Sequence, residues 1–247
     1  MADLSASYSI FPLGDSAITI DLGNCIDEQR NRKALALYEW LRAQPVPGIR
    51  DIIMAYSSVS VFYDLSIVGS EDGGAYPRME ALLRRAWEEA VPGTEAATRE
   101  GGLLWELPVC YEGEYAPDLE WVAKQQTLSA DKVVELHSAL LYRVYMIGFL
   151  PGFPYLGIVD ERIRVSRKPQ PVPVRAGGIG IAGMQTGIYP LNSPGGWAII
   201  GRTPVRLFEA DADPPVQIRS GDWIRFYPVS SADFKDWSGV PHSKPFE

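Results

Sequence analysis

The residues best suited to chemistry lie in the second half of the chain, grouped by type. Tyr145 to Gly157 reads YMIGFLPGFPYLG, two Pro and three Gly interleaved with Phe149, Phe153 and Tyr155. Such a stretch cannot be helical, and central strands avoid Pro, so the pattern predicts a shaped loop that presents aromatic faces. It reads either as the wall of a binding site or as a corner closing one end of a barrel. Next come Gln185-Thr186-Gly187-Ile188-Tyr189-Pro190, then Ser193-Pro194-Gly195-Gly196-Trp197, then Gly201-Arg202-Thr203-Pro204. An amide, hydroxyls, a phenol, an indole and a guanidinium on stiffened loops could line a small polar pocket, with Gln185 reading an amide or carboxylate and Arg202 pairing with an anion. On residue type alone, Tyr189 and Trp197 fit a core equally well, and Arg202 a solvated surface.

Two further groups stand out. Arg162, Arg164, Arg167, Lys168 and Arg175 face a single acid, Glu161, in the segment 161–175. This basic island could clamp a phosphate or carboxylate, protect an edge strand, or face a partner. His137 is the histidine within a structured neighbourhood and therefore the default general acid/base. Gly178 to Gly183 matches G-x-G-x-x-G, but Gly187, Pro190 and Pro194 forbid the helix whose N-terminus would hold a pyrophosphate; the glycines instead let a second backbone or a ligand approach closely. No Gly-rich ATP loop and no nucleophile triad occurs in the sequence, so any ATP chemistry needs another polypeptide.

These residues must be positioned by a chain of 247 residues with 23 Lys+Arg against 31 Asp+Glu, a net charge of -8. That balance argues against nucleic acid or an anionic membrane as partner. No apolar run approaches the roughly 20 residues of a spanning helix, and Met1 to Ser9 has no leader pattern, so a soluble cytoplasmic protein is expected. Two Cys and two His offer no zinc spacing, and no metal is expected. Ala17–Leu22 alternates as a strand. Asp27 caps a helix whose Ala34, Leu37, Tyr38 and Leu41 share one face. Ile49–Tyr56 and Val59–Leu65 form an antiparallel pair, Pro77 opens a second amphipathic helix, and Leu103–Val109 returns as a strand. The β-α-β-β-α-β order is that of a ferredoxin-like domain, over residues 1 to about 110. Residues 117–126 and 130–140 read as connector helices. Tyr142–Ile147, Gly178–Ile181, Trp197–Ile200, Val205–Phe208 and Trp223–Tyr227 are short strands of a barrel or sandwich. The final ten residues read as a loosely held tail.

The ordered motifs from His137 through GFLPGFPYLG, GIAGMQTGIYP, SPGGW, IGRTP and Gly221-Asp222 resemble the family of the B subunit of bacterial ATP-dependent 5-oxoprolinase. That family takes in the sporulation kinase inhibitor KipI and the first half of the allophanate hydrolase/urea carboxylase carboxyltransferase module. The resemblance implies an α+β chain, with a ferredoxin-like domain at 1–110 followed at 111–247 by the helical connector and a cyclophilin-like β-barrel. It implies a non-autonomous subunit that works with the C and A subunits of 5-oxoprolinase to open 5-oxoproline to glutamate, with ATP as co-substrate of the complex and no cofactor bound by this chain alone. Within it, Gln185 and Tyr189 would orient a small acidic amide, Arg202 or Arg175 would pair with its anionic group, and His137 would shuttle a proton or hold the aromatic loop. Phe149, Phe153, Tyr155, Thr186 and Trp197 would line the substrate. A KipI-like kinase inhibitor, or half of a carboxyltransferase, is the alternative. Arg175-Ala176-Gly177-Gly178 departs from the family's usual Pro-Ala-Gly-Ser, removing a hydroxyl and adding a cation.

Overall fold

The computed structural model describes residues 8–69, 74–91 and 102–246. The chain divides into two compact units, 1–98 and 99–247.

The first unit holds β1 (Ser9–Pro12), β2 (Ala17–Asp21), α1 (Glu28–Ala43), β3 (Ile49–Met54), β4 (Ser58–Tyr63), α2 (Leu65–Val68) and α3 (Ala75–Ala90). Its antiparallel sheet runs β1-β2-β4-β3. Asp27 caps α1 by accepting from the Arg30 N–H, and Ala34, Leu37 and Leu41 turn inward at helical spacing. They meet Met79, Leu83 and Ala86 of α3 over Ile18, Ile20, Val59 and Val61. Burying such aliphatic side chains stabilises the unit by about 1.5–3 kcal/mol each.

One expectation fails here. The strand at Leu103, assigned from sequence to this sheet as its fourth member, is β5 (Leu103–Cys110) and belongs to the second unit; the edge place beside β2 is taken by β1. The reason is long-range: β5 runs parallel to a strand more than a hundred residues later, from Trp223↔Leu104 to Val229↔Cys110. Pro92-Gly93, which the sequence also predicts to interrupt the helical stretches as a loop, lies outside the described residues.

The second unit continues with α4 (Leu119–Gln125), α5 (Ala130–Ser138), β6 (Leu141–Ile147), β7 (Pro154–Gly157), β8 (Val172–Val174), β9 (Gly178–Ala182), β10 (Gln185–Ile188), β11 (Ser193–Gly195), β12 (Ala198–Arg202), β13 (Trp223–Val229), α6 (Ser231–Lys235) and β14 (His242–Pro245). Seven strands close into a mixed barrel in the order β12-β9-β10-β7-β6-β13-β5, sealed by β12 against β5 at Arg202↔Cys110. The α+β class is thus realised with an all-round barrel. Its interior is filled by alternating residues, among them Leu107, Val109, Val144, Leu156, Ile179, Ile181, Ile188 and Ile200. Asp222 pins the strand ends: its carboxylate accepts from the Leu103 N–H, the Trp105 indole and the Arg219 N–H, each at 2.9 Å.

Three other sequence expectations are corrected. The aromatic segment is not all loop, since Tyr145–Ile147 lies in β6 and Pro154 opens β7. Val205–Phe208 is no strand: Val205 and Leu207 pack into the core without a ladder partner. The tail is not loose over its whole length, because β14 pairs antiparallel with β5 and Phe246 stacks on Trp223 at 4.8 Å. No helix among the described residues is long and apolar enough to cross a membrane.

Candidate functional site

Glycines of β9 and β10 that face away from the barrel interior organise its surroundings. Ile179 and Ile181 point into the core, so Gly180 points out, where a Cβ would lie 2.8 Å from Trp197 Cβ. On β10, Thr186 and Ile188 point in while Gly187 lies against Phe153, a Cβ there meeting the ring at 3.0 Å. The G-x-G-x-x-G run is therefore a flat floor for aromatic rings, as backbone without side chains allows. Phe153, Tyr189 and Trp197 are buried on that floor with Val174, Ala182 and Ile199. Phe153 is the hub, edge-on to Tyr189 at 5.1 Å and to Trp197 at 5.6 Å, and 4.7 Å from Tyr155. Phe149 forms the outer end: it meets Phe153 edge-on at 5.6 Å, is 62 % exposed, and holds the left-handed φ of 67°. A bulky residue in that region presents its ring at a backbone cost of about 1–3 kcal/mol.

His137 lies apart from this surface. It is fully buried near the end of α5, stacked on Phe226 at 5.0 Å. The Thr186 hydroxyl donates to the Gly180 carbonyl at 3.0 Å and so accepts from His137 Nε2–H at 3.0 Å; Nδ1 then accepts from the Tyr111 hydroxyl at 2.9 Å. Burial holds the imidazole neutral, with its pKa lowered to about 3. Both ring nitrogens are engaged inside the core. His137 is thus a core residue linking α5 to β10 and to Tyr111, the residue after β5; it was expected to shuttle a proton or hold the aromatic loop, and its two ring nitrogens are engaged by Tyr111 and Thr186 instead. Thr186, expected to line the substrate, is enclosed with it.

The basic island is largely neutralised. Arg162 forks onto Asp160 at 2.7 and 2.9 Å, Lys168 reaches Asp118 at 2.6 Å, and Arg175 pairs with Glu114 at 3.0 Å. Arg167 has a different place, its guanidinium 5.8 Å over the Trp197 ring. Burial pushes the Tyr155 and Tyr189 phenols above their ordinary pKa, and the charge of Arg167 opposes that rise.

Arg175 and Arg202 meet in a cleft of about 200 Å³ together with Glu114, Tyr115, Pro173 and Gly178. Arg202 donates through Nε to the Ala176 carbonyl at 2.7 Å and lies 5.6 Å over the Phe234 ring. Burial, and then the neighbouring charge of Arg175, hold its guanidinium pKa below the usual value. The structure thus distributes the expected pocket over three places. The aromatic floor takes Phe149, Phe153, Tyr155, Tyr189 and Trp197; the cleft takes Arg175 and Arg202; the barrel interior takes His137 and Thr186. Gln185 opens β10 opposite Gly157 and Ala182 and does not join the arginines. Tyr189 is 1 % exposed, so its phenol braces the floor instead of meeting solvent. Val174 and Ile199 belong to both the floor and the cleft and form the wall they share. Sequence reasoning missed Tyr111, Glu114 and Tyr115, which sit in a turn with no diagnostic spacing. It did see Arg167, but only as one of five cations.

A family model described as carboxyltransferase domain, subdomain C and D, matches residues 8–218. The chain is 40% identical over 232 residues to the B subunit of 5-oxoprolinase from Bacillus subtilis (strain 168), covering 94% of this chain and 97% of that protein. The crystal structure of TTHA0988 matches with a TM-score of 0.72 at 36% identity over 87% of this chain, which spans only 40% of that longer chain. The K. lactis urea amidolyase shares the fold, with a TM-score of 0.78 at 18% identity, covering 100% of this chain and 17% of that enzyme.

Proposed function

Since the chain belongs to the family of carboxyltransferase domains, subdomains C and D, we propose that it is the B-type subunit of an ATP-dependent 5-oxoprolinase, opening 5-oxoproline to glutamate together with the A and C subunits. The observation that carries this reading is the 40% identity to a 5-oxoprolinase B subunit along nearly the full length of both chains. Association with other polypeptides is supported by that relative's being named a B subunit. In this reading the first unit is ferredoxin-like with β1 in place of the usual fourth strand, the barrel is cyclophilin-like, and the complex works in the cytoplasm, where ATP is its co-substrate.

The division of labour follows from the residues. A lactam is a poor electrophile; ATP makes its oxygen a leaving group by phosphorylation, and donors must then stabilise charge as water attacks. Among the described residues the histidines are His137, enclosed and neutral, and His242 on the edge strand β14. In this reading the chain supplies recognition, and phosphoryl and proton transfer fall to its partners. Phe149, exposed at the rim of the aromatic floor, is where the C-type partner would complete the site. The family's carboxyltransferase description supports a second reading, half of a module that moves a carboxyl group, which requires bicarbonate and a separate carrier protein. Reconstitution decides between them. Mixed with the A and C subunits, the chain should release glutamate from 5-oxoproline and ATP, and do nothing alone. Glutamate release without it, or none where another B-type subunit supports turnover with the same partners, would refute the proposal.

A further inference from the structure

The cleft between β9, β12 and the turn at Glu114 combines features that restrict what can enter it. Its volume of about 200 Å³ falls below the roughly 300–1,000 Å³ of pockets that enclose drug-sized ligands, so a nucleotide does not fit. Its charged lining is Arg175, Arg202 and Glu114, a formal +1 that a monoanion balances and a dianion exceeds. The remaining wall, including Pro117, Pro173, Val174 and Ile199, is apolar and suits a compact, uncharged body.

Arg202 is prepared for such a ligand. Its Nε bond to Ala176 and its seat over Phe234 fix the plane of the guanidinium, while its Nη groups have no acceptor among the described residues. Half-buried beside another cation, it lacks an ion pair of its own among those residues, an arrangement that a carboxylate would relieve. Arg175 is more exposed and its pair with Glu114 lies in solvent, where such contacts are weak and readily exchanged. Gly178 keeps the floor low: a Cβ there would lie 2.9 Å from Val174 Cγ1 and 3.0 Å from the Arg175 carbonyl.

We infer that this cleft is a binding site for a small monocarboxylic acid with a compact neutral body, the carboxylate held by Arg202 with Arg175 as the second donor. Resting on the proposed function, that acid is 5-oxoproline. The aromatic floor then lies across the Val174–Ile199 wall from the bound acid, on the side where a partner subunit would approach.

Calorimetric or NMR titration of the full chain tests this with three probes: 5-oxoproline, 2-pyrrolidinone, which is the same lactam without its carboxylate, and inorganic phosphate. Saturable binding of 5-oxoproline is expected, with no detectable binding of 2-pyrrolidinone and weaker binding of phosphate. Arg202→Gln should weaken 5-oxoproline binding about 10-fold or more, as loss of a charge-assisted contact does. Arg175→Gln, at an exposed position, covers the case in which Arg202→Gln does not fold, and should weaken binding by roughly 3- to 10-fold. Absence of saturable binding, equal binding of 2-pyrrolidinone, tighter binding of phosphate, or unchanged affinity in the folded variants overturns the inference. A chain that binds 5-oxoproline through Arg202 yet supports no glutamate release would sink the functional proposal and leave the cleft standing; turnover with no binding in the cleft would do the reverse.

Discussion

Acid should destabilise the barrel through His137. In the unfolded chain this imidazole titrates near its ordinary value of about 6.5, whereas the fold holds it neutral down to about 3. Above pH 6.5 the ring is neutral in both states and contributes nothing to pH dependence. As pH falls below 6.5 the unfolded chain takes up a proton that the fold refuses, so stability is lost at about 1.4 kcal/mol per pH unit until the folded ring itself titrates. Between pH 7.5 and 5.0 the loss amounts to about 2 kcal/mol. His137→Phe keeps the stack on Phe226 but orphans the Tyr111 hydroxyl, and should lower stability at pH 7.5 by about 1–3 kcal/mol. It should also remove this pH term. Urea midpoints of both proteins at pH 7.5 and 5.0 give the comparison, and subtraction cancels the carboxylates common to both. Parallel pH profiles would show that the ring exchanges protons freely in the fold, which would restore His137 as a proton carrier and refute the reasoning.

Other perturbations follow from the same geometry. Gly187→Ala places a methyl 3.0 Å from the Phe153 ring and 2.9 Å from the Pro154 carbonyl, so it should cost about 1–3 kcal/mol in thermal unfolding and blur the near-ultraviolet signal of the aromatic cluster. Asp222→Ala leaves three N–H donors without their acceptor and should lower stability by about 3 kcal/mol or more in urea unfolding. Ending the chain at Gly239 removes β14 and the Phe246–Trp223 stack; a loss of about 2 kcal/mol, or roughly 4–8 °C in Tm, should follow.

What could be read from sequence was mostly local. The inward positions of α1 and α3 announce themselves by spacing, and Asp27 by chemistry, because each depends on neighbours within a few residues. The placement of β5 could not be read, since its nearly continuous apolar run suits either sheet and only its pairing with Trp223–Val229 decides. β14 was invisible because His-Ser-Lys-Pro has no alternation to recognise; its partner edge on β5 makes it a strand. The site divides in the same way. The Gly and aromatic residues of the floor were legible separately, Gly178–Gly183 as a place of close approach and Phe149, Phe153 and Tyr155 as a ring-bearing segment, but the packing of those rings with Tyr189 and Trp197 on the glycines was not. The arginines and His137 were read by type, but their states are set by residues distant in the chain. Glu114 occupies Arg175, Asp118 occupies Lys168, and Tyr111 with Thr186 occupies His137.

The claim that this chain contributes substrate recognition to a partner-dependent lactam-opening reaction is tested most directly in the reconstituted three-subunit complex carrying Arg202→Gln. The KM for 5-oxoproline should rise about 10- to 100-fold while the KM for ATP stays unchanged. A variant that raises the KM for ATP and leaves that for 5-oxoproline untouched would contradict the account.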